Sequence, residues 1–109
     1  MPHYHTEGFE NEWNLVRETD TSQKFRVTTP SGVKLEIDIH YTPGKVLTAN
    51  IVVEGTASKG LLSPVMDEIG RLGLYRSDYG IIDYTLAETT QLSEGNYPID
   101  EKDRKHRQL

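Results

Sequence analysis

Between Lys24 and Glu54 the chain reads KFRVTTPSGVKLEIDIHYTPGKVLTANIVVE, a strict alternation of apolar and polar residues that is interrupted twice by Pro/Gly pairs. Side chains on an extended strand point alternately to its two faces, so this pattern describes strands that are buried on one side and wet on the other. Phe25, Val27 and Thr29 share one face of a first strand. Val33, Leu35, Ile37, Ile39 and Tyr41 share a face of the second, with Lys34, Glu36, Asp38 and His40 opposite. Leu47, Ala49, Ile51 and Val53 form the inward face of the third, Val46 to Glu54. The breaks are turn chemistry. Pro30 cannot donate to a ladder and Gly32 tolerates positive φ, while Pro43 followed by Gly44 suits a type II turn. Three strands joined by such short turns make an antiparallel meander.

After Gly55 the period changes. Leu61, Leu62, Val65, Met66, Ile69 and Leu72 are spaced three and four apart, the stripe of an amphipathic helix able to cover the sheet. Ser63 and Pro64 suit its N-cap and first position, although the same stripe allows a start nearer Ala57. Gly73, after Arg71 and Leu72, suits a stop. Ile82, Tyr84 and Leu86 then alternate with Asp83 and Thr85, which reads as a fourth strand on the sheet's border. A second helix from Ser77 is the alternative, disfavoured by Gly80 and the β-branched and aromatic content. The expected fold is α+β: a three-stranded antiparallel meander, one helix packed on it and a fourth strand, in the order β-β-β-α-β. Its expected organisation is a flexible N-terminus over residues 1–12, a single domain over 13–90 and a charged, disordered tail over 91–109. Within EWNLVRET, residues Trp13, Leu15 and Val16 are packing candidates, with helix and strand both open.

Composition bounds the chemistry. At 109 residues there is room for one modest core. No apolar run approaches the roughly 18 residues a membrane span needs, and the start MPHYHTEGFENEW lacks the basic beginning and apolar stretch of a secretory signal, so a cytoplasmic location is expected. With no cysteine, disulfides, thiol catalysis and cysteine-ligated zinc are excluded. The net charge of −5 lies in the body of the chain, because the tail segment Asp100 to Arg107 is mixed in sign. An acidic body is a poor counterion for phosphate, which disfavours general nucleic-acid binding.

A strand ending at Thr29-Pro30, a glycine turn at Gly32, two further strands, a small-residue loop ending at Lys59-Gly60, and a helix closing as Glu68-Ile69-Gly70-Arg71-Leu72 follow one another in that order. This set resembles the small domain near the C-terminus of vitamin-B12-dependent ribonucleotide reductases, which also occurs as short stand-alone proteins. The likeness runs from Lys24 to about Tyr75 and implies a similar small fold and contact with nucleotide-reductase machinery. It carries no thiol or metal chemistry here. Ser31 stands where that family places a cysteine after Thr-Pro, and the family's Thr-Ser-Cys-Pro-Asp motif is missing.

Candidate sites are few, and each has an ordinary structural explanation beside it. His3 and His5 form a His-x-His pair able to hold a divalent metal weakly, but no third fixed ligand is readable and no metal is expected. Asp38 and His40 share the outward strand face, an Asp-His acid/base geometry without a nucleophile or metal to serve; a solvated sheet face explains them equally. Asp67, Glu68 and Arg71 suit a helical ion pair. Lys59 and Gly60 end a loop before the helix that resembles a phosphate cradle, without the spacing of a nucleotide-binding fingerprint. Tyr75, Arg76, Tyr79 and Tyr84 cluster around the fourth strand, and tyrosine and arginine suit interfaces as well as core boundaries.

No nucleophile–base or three-ligand set on rigid elements is readable, so no catalytic residue and no cofactor are assigned. A protein-binding or accessory module is therefore the leading expectation. A self-associating structural protein, pairing as a homodimer, comes second, and an enzyme using Asp38 and His40 third. The contact surface is expected at Tyr75, Arg76, Tyr79 and Tyr84.

Overall fold

The computed structural model describes residues 3–6, 9–55 and 60–99, with side chains described from Asn11 onward. Eight elements follow in chain order: β1 (His3–Thr6), β2 (Phe9–Glu18), β3 (Ser22–Thr28), β4 (Lys34–His40), β5 (Val46–Glu54), α1 (Leu62–Arg76), β6 (Ile81–Ala87) and β7 (Leu92–Pro98). All seven strands lie in one sheet, side by side in sequence order. Every neighbouring pair is antiparallel except β5 and β6, which run parallel because α1 carries the chain back between them. No helix among the described residues is long and apolar enough to cross a membrane.

This corrects the expected architecture, although the α+β class stands. The sheet is mixed and seven-stranded, not a three-stranded meander with one added strand. Residues 3–6 and 9–12, expected in a flexible N-terminus, lie in β1 and β2, and residues 13–18, open between helix and strand, complete β2. Residues 92–98, expected in a disordered tail, form β7. The strand over Ile81–Ala87 is not a border: it pairs with β5 on one side and β7 on the other.

The faces follow the period-two pattern. Phe25, Ile37, Ile51 and Leu86 stand in one register row across four strands, and Val27, Leu35 and Val53 in another. All seven are buried, with Phe25 and Ile37 wholly so. Burying each such side chain contributes about 1.5–3 kcal/mol, enough to pin the register, since a slip of one residue would turn every one of them to water. Val65, Met66, Ile69 and Leu72 of α1 complete the core with Trp13, whose ring meets that of Phe25 edge-on at 5.4 Å.

The turns are built as their residues require. The Gly32 amide donates to the Thr29 carbonyl at 2.9 Å, and Gly32 and Gly44 have φ of +90° and +106°. The helix departs from expectation at both ends. Leu61, not Ser63, is the N-cap, and no side chain caps it. The stop is not Gly73; α1 runs on to Arg76, and the Ser77 amide donates to the Gly73 carbonyl at 3.1 Å. Gly73 is there for contact: a Cβ on it would lie 3.0 Å from Leu47 Cδ2, so the helix backbone sits directly against this β5 side chain.

Candidate functional site

A groove lies on the helix side of the sheet, where the C-terminal half of α1 passes β2 and β3. Its volume is about 550 Å³, and it is lined by Glu18, Gln23, Glu68, Arg71, Leu72, Tyr75 and Arg76. Its β2 wall depends on an irregularity. Leu15 pairs with Phe25 but Arg17 pairs with Lys24, so Val16 is an extra residue in the ladder. Before this bulge the even residues Glu12 and Asn14 share the outer face with Thr28 and Arg26; after it Arg17 takes that face and Glu18 turns to the helix side opposite Gln23. A β-bulge re-aims side chains in this way, and here it aims a carboxylate into the groove.

Glu18 anchors a closed set of contacts. Its Oε2 accepts from Gln23 Nε2 at 2.7 Å and from Arg76 Nη2 at 3.1 Å. Gln23 Oε1 accepts from the Tyr41 hydroxyl, and the Arg76 guanidinium lies 4.2 Å from the centroid of the Tyr41 ring. Arg76 Nη1 also donates to the Asp20 carbonyl at 3.0 Å. The last residue of α1 is thus fixed to β2, the β2–β3 turn and the residue after β4 at once, an arrangement that a planar, five-donor cation over an aromatic face can make and an ammonium cannot.

The opposite wall is helical. Arg71 Nε and Nη2 reach Glu68 Oε1 at 2.9 and 2.8 Å, an i,i+3 pair in which Glu68 is buried and Arg71 is partly exposed. That carboxylate needs its partner, because a buried charge left unpaired costs several kcal/mol. Tyr75 stands at the lip between Arg71 and Arg76 and is 82% exposed. Cations and carboxylates alternate around the groove, so its lining is balanced in sign.

The four interface candidates separate. Tyr75 and Arg76 line the groove. Tyr79 is only 3% exposed, its hydroxyl donates to the Thr42 carbonyl at 2.6 Å and its ring lies 6.2 Å from that of Tyr41, so it is a core residue that presents no surface. Tyr84 is half-buried, with its ring over Gly95. Glu18, Gln23 and Tyr41 were not expected here; the only sequence signal for Glu18 is the adjacent apolar pair Leu15-Val16, which breaks the alternation where the bulge falls.

The remaining candidates lie apart from the groove. Asp38 and His40 sit on the outer face, opposite Lys24 and Asn50 and opposite Ser22 and Thr48 respectively. Beside them Glu36 accepts from Arg26 Nη2 at 3.0 Å, and this hydrogen bond, helped by the Lys24 charge, holds its carboxyl below the ordinary value. Asp67 accepts from the Tyr97 hydroxyl at 3.1 Å, and so serves the packing of α1 on β7. Gly60 is an exposed turn residue, while Lys59 and the side chains of His3 and His5 fall outside the described residues. Among the described residues no group of three or more His, Asp or Glu is placed to hold a metal ion.

Comparisons with protein-family models, with curated proteins and with solved structures return no match to this chain, so the functional reading rests on the groove's own geometry.

Proposed function

We propose that this chain is a protein-binding module that receives an extended segment of a partner in the groove between α1 and β2–β3. The observation that carries this reading is Tyr75, 82% exposed between two arginines that are each fixed by hydrogen bonds to a carboxylate. A large ring at a helix surface offers contact area at low entropic cost, and tyrosine and arginine are the residues on which binding energy concentrates. The alternation of Arg71 and Arg76 with Glu68 and Glu18 favours a peptide bearing both signs of charge over a phosphate backbone, which would meet the carboxylates. The fixed Arg76–Glu18 wall lowers the ordering cost on binding. The nucleotide-reductase machinery suggested by the sequence resemblance is the first partner to try.

Selection from a random peptide library on immobilised protein tests this. Enriched peptides should carry an aromatic or apolar residue flanked by charges of both signs and bind with a Kd on the order of micromolar. Tyr75→Ala should weaken them about tenfold or more, and Glu36→Ala, on the opposite face of the sheet, should leave them unchanged. Peptides that bind equally to wild type and Tyr75→Ala would sink the reading.

A further inference from the structure

The sheet ends at β7, and among the described residues nothing pairs with its outer edge. Two backbone bonds fix what that edge offers. The Ile99 amide donates to the Gly80 carbonyl at 3.0 Å, and the Glu88 amide donates to the Gln91 carbonyl at 2.7 Å. Residues of an antiparallel strand turn their N–H and C=O groups alternately toward and away from a neighbour, so Ser93, Gly95 and Tyr97 face β6. The N–H and C=O groups of Leu92, Glu94 and Asn96 therefore point outward, as does the carbonyl of Pro98, whose missing N–H removes no bond to β6.

The outer face of the last three strands is banded. Val52, Ala87 and Leu92 stand in one register row, with Val52 51% and Leu92 74% exposed. Val46, Ile81 and Pro98 form a second apolar row. Between the two lie the polar rows Thr48–Asp83–Asn96 and Asn50–Thr85–Glu94.

We propose that β7 is a homodimer interface in which two copies of the chain pair their edges antiparallel about a two-fold axis through Gly95. In this register Leu92 lies opposite Pro98 of the other copy, and Glu94 opposite Asn96. The amide of Leu92 meets the Pro98 carbonyl, and Glu94 and Asn96 exchange both of their bonds, so no outward amide is wasted. The apolar row Val52–Ala87–Leu92 continues into Pro98–Ile81–Val46 of the second copy, and the second row does the same in reverse.

The neighbouring registers are worse. An axis through Glu94 sets two carboxylates directly opposite one another. An axis through Asn96 places Glu94 against the proline that cannot donate and carries Leu92 past the end of the facing strand. Gly95 suits the axis because no side chain stands there; the space over it is taken by Tyr84, whose Oη lies 3.0 Å from where a Cβ would be. A two-fold pairing also closes on itself. The other edge, β1, has four residues with a register shift between His5 and Thr6, a poor partner for seven-residue β7 and so a poor route to open-ended fibres.

Light scattering and sedimentation of the full chain from about 10 μM to 1 mM should show a reversible monomer–dimer equilibrium, as expected for a two-strand contact smaller than a standard interface. Asn96→Pro removes an outward amide without touching a bond to β6 and should weaken the dimer about tenfold. Because the chain has no cysteine, Glu94→Cys and Asn96→Cys report the register directly. Mixed together they should form a crosslinked dimer under mild oxidation, since opposed residues sit about 5.5 Å apart at Cα, while either alone should crosslink poorly. A protein that stays monomeric to about 1 mM, or a dimer indifferent to Asn96→Pro, or a crosslink stronger in either single variant than in the mixture, overturns the proposal. Where Asn96→Pro does not fold, the crosslinking pair decides.

Discussion

Two glycines three residues apart in α1 give a measurable test of how the helix sits on the sheet. At both positions alanine should gain about 1 kcal/mol from helix propensity, because glycine loses more backbone freedom on folding. At Gly70 the added methyl would meet Ile99 Cγ1 and Cγ2 at 3.5 Å, an ordinary contact. Gly70→Ala should therefore stabilise by about 0.5–1 kcal/mol. At Gly73 the same methyl would lie 3.0 Å from Leu47 Cδ2 and 3.6 Å from Tyr79 Cδ2, and Leu47 is wholly buried. Displacing a packed core side chain by a few tenths of an ångström costs about 1–2 kcal/mol, which offsets or exceeds the propensity gain. The two variants should thus differ by about 1–2 kcal/mol in urea unfolding. In a domain of this size that is a separation of roughly 5–15 °C in melting temperature. Leu47→Ala supplies the control. It costs about 2–5 kcal/mol by itself, but in that background Gly73→Ala should become favourable because the clashing atom is gone. If Gly73→Ala stabilises wild type as much as Gly70→Ala does, the helix is not seated on Leu47 and the account of why α1 runs through Gly73 is wrong.

Two further outcomes follow from the ion pairs. Arg76→Ala should cost about 1–2 kcal/mol, the worth of a partly exposed ion pair, a carbonyl bond and a cation–π contact together; Arg76→Lys should recover only part of it, and amide exchange should quicken in the last turn of α1 in both. Equal stability of Arg76→Ala and wild type by chemical denaturation would refute the anchoring role. Glu36, held below its ordinary 4.5 mainly by the Arg26 hydrogen bond, contributes stability that is fully present above about pH 4.5 and is lost as pH falls through its lower folded value. An NMR titration should show its midpoint rising toward 4.5 in Arg26→Ala, and a midpoint that does not move would remove Arg26 as the cause.

What the sequence discloses is the part of the fold written in period two. The inward faces of β4 and β5 and the stripe of α1 are legible because each places several large apolar side chains at fixed spacing, and burial then leaves one register. β7 is not legible for the converse reason. LSEGNYP lends no fully buried side chain to the core, since Leu92 lies outward and Ser93, Gly95 and Tyr97 are half-buried; it is a strand because β6 needed an antiparallel neighbour. β2 is hidden by its own bulge, where Leu15-Val16 breaks alternation. Tyr79 misled because a tyrosine clustered with Tyr75, Arg76 and Tyr84 beside an expected border strand reads as surface, whereas the parallel crossover returns the chain beside β5 and folds its ring into the core.

That crossover also explains why the groove lies where it does. An antiparallel hairpin from β5 to β6 would have needed only a short turn and left this side of the sheet to other cover. A parallel return demands a long connection, and the chain spends it on α1, whose C-terminal end is carried past β3 to within reach of β2. There the helix outruns the apolar stripe: beyond Leu74 its side chains are Tyr75 and Arg76, with no core left to enter. Arg76 is held by Glu18 and Tyr41, and Glu18 is available only because the bulge at Val16 has turned it inward. Tyr75, one residue earlier on the helix, is left at the surface by the same geometry. The exposed Tyr75 and the fixed wall beside it are therefore consequences of two backbone features, the parallel crossover, whose helix also completes the core, and the bulge.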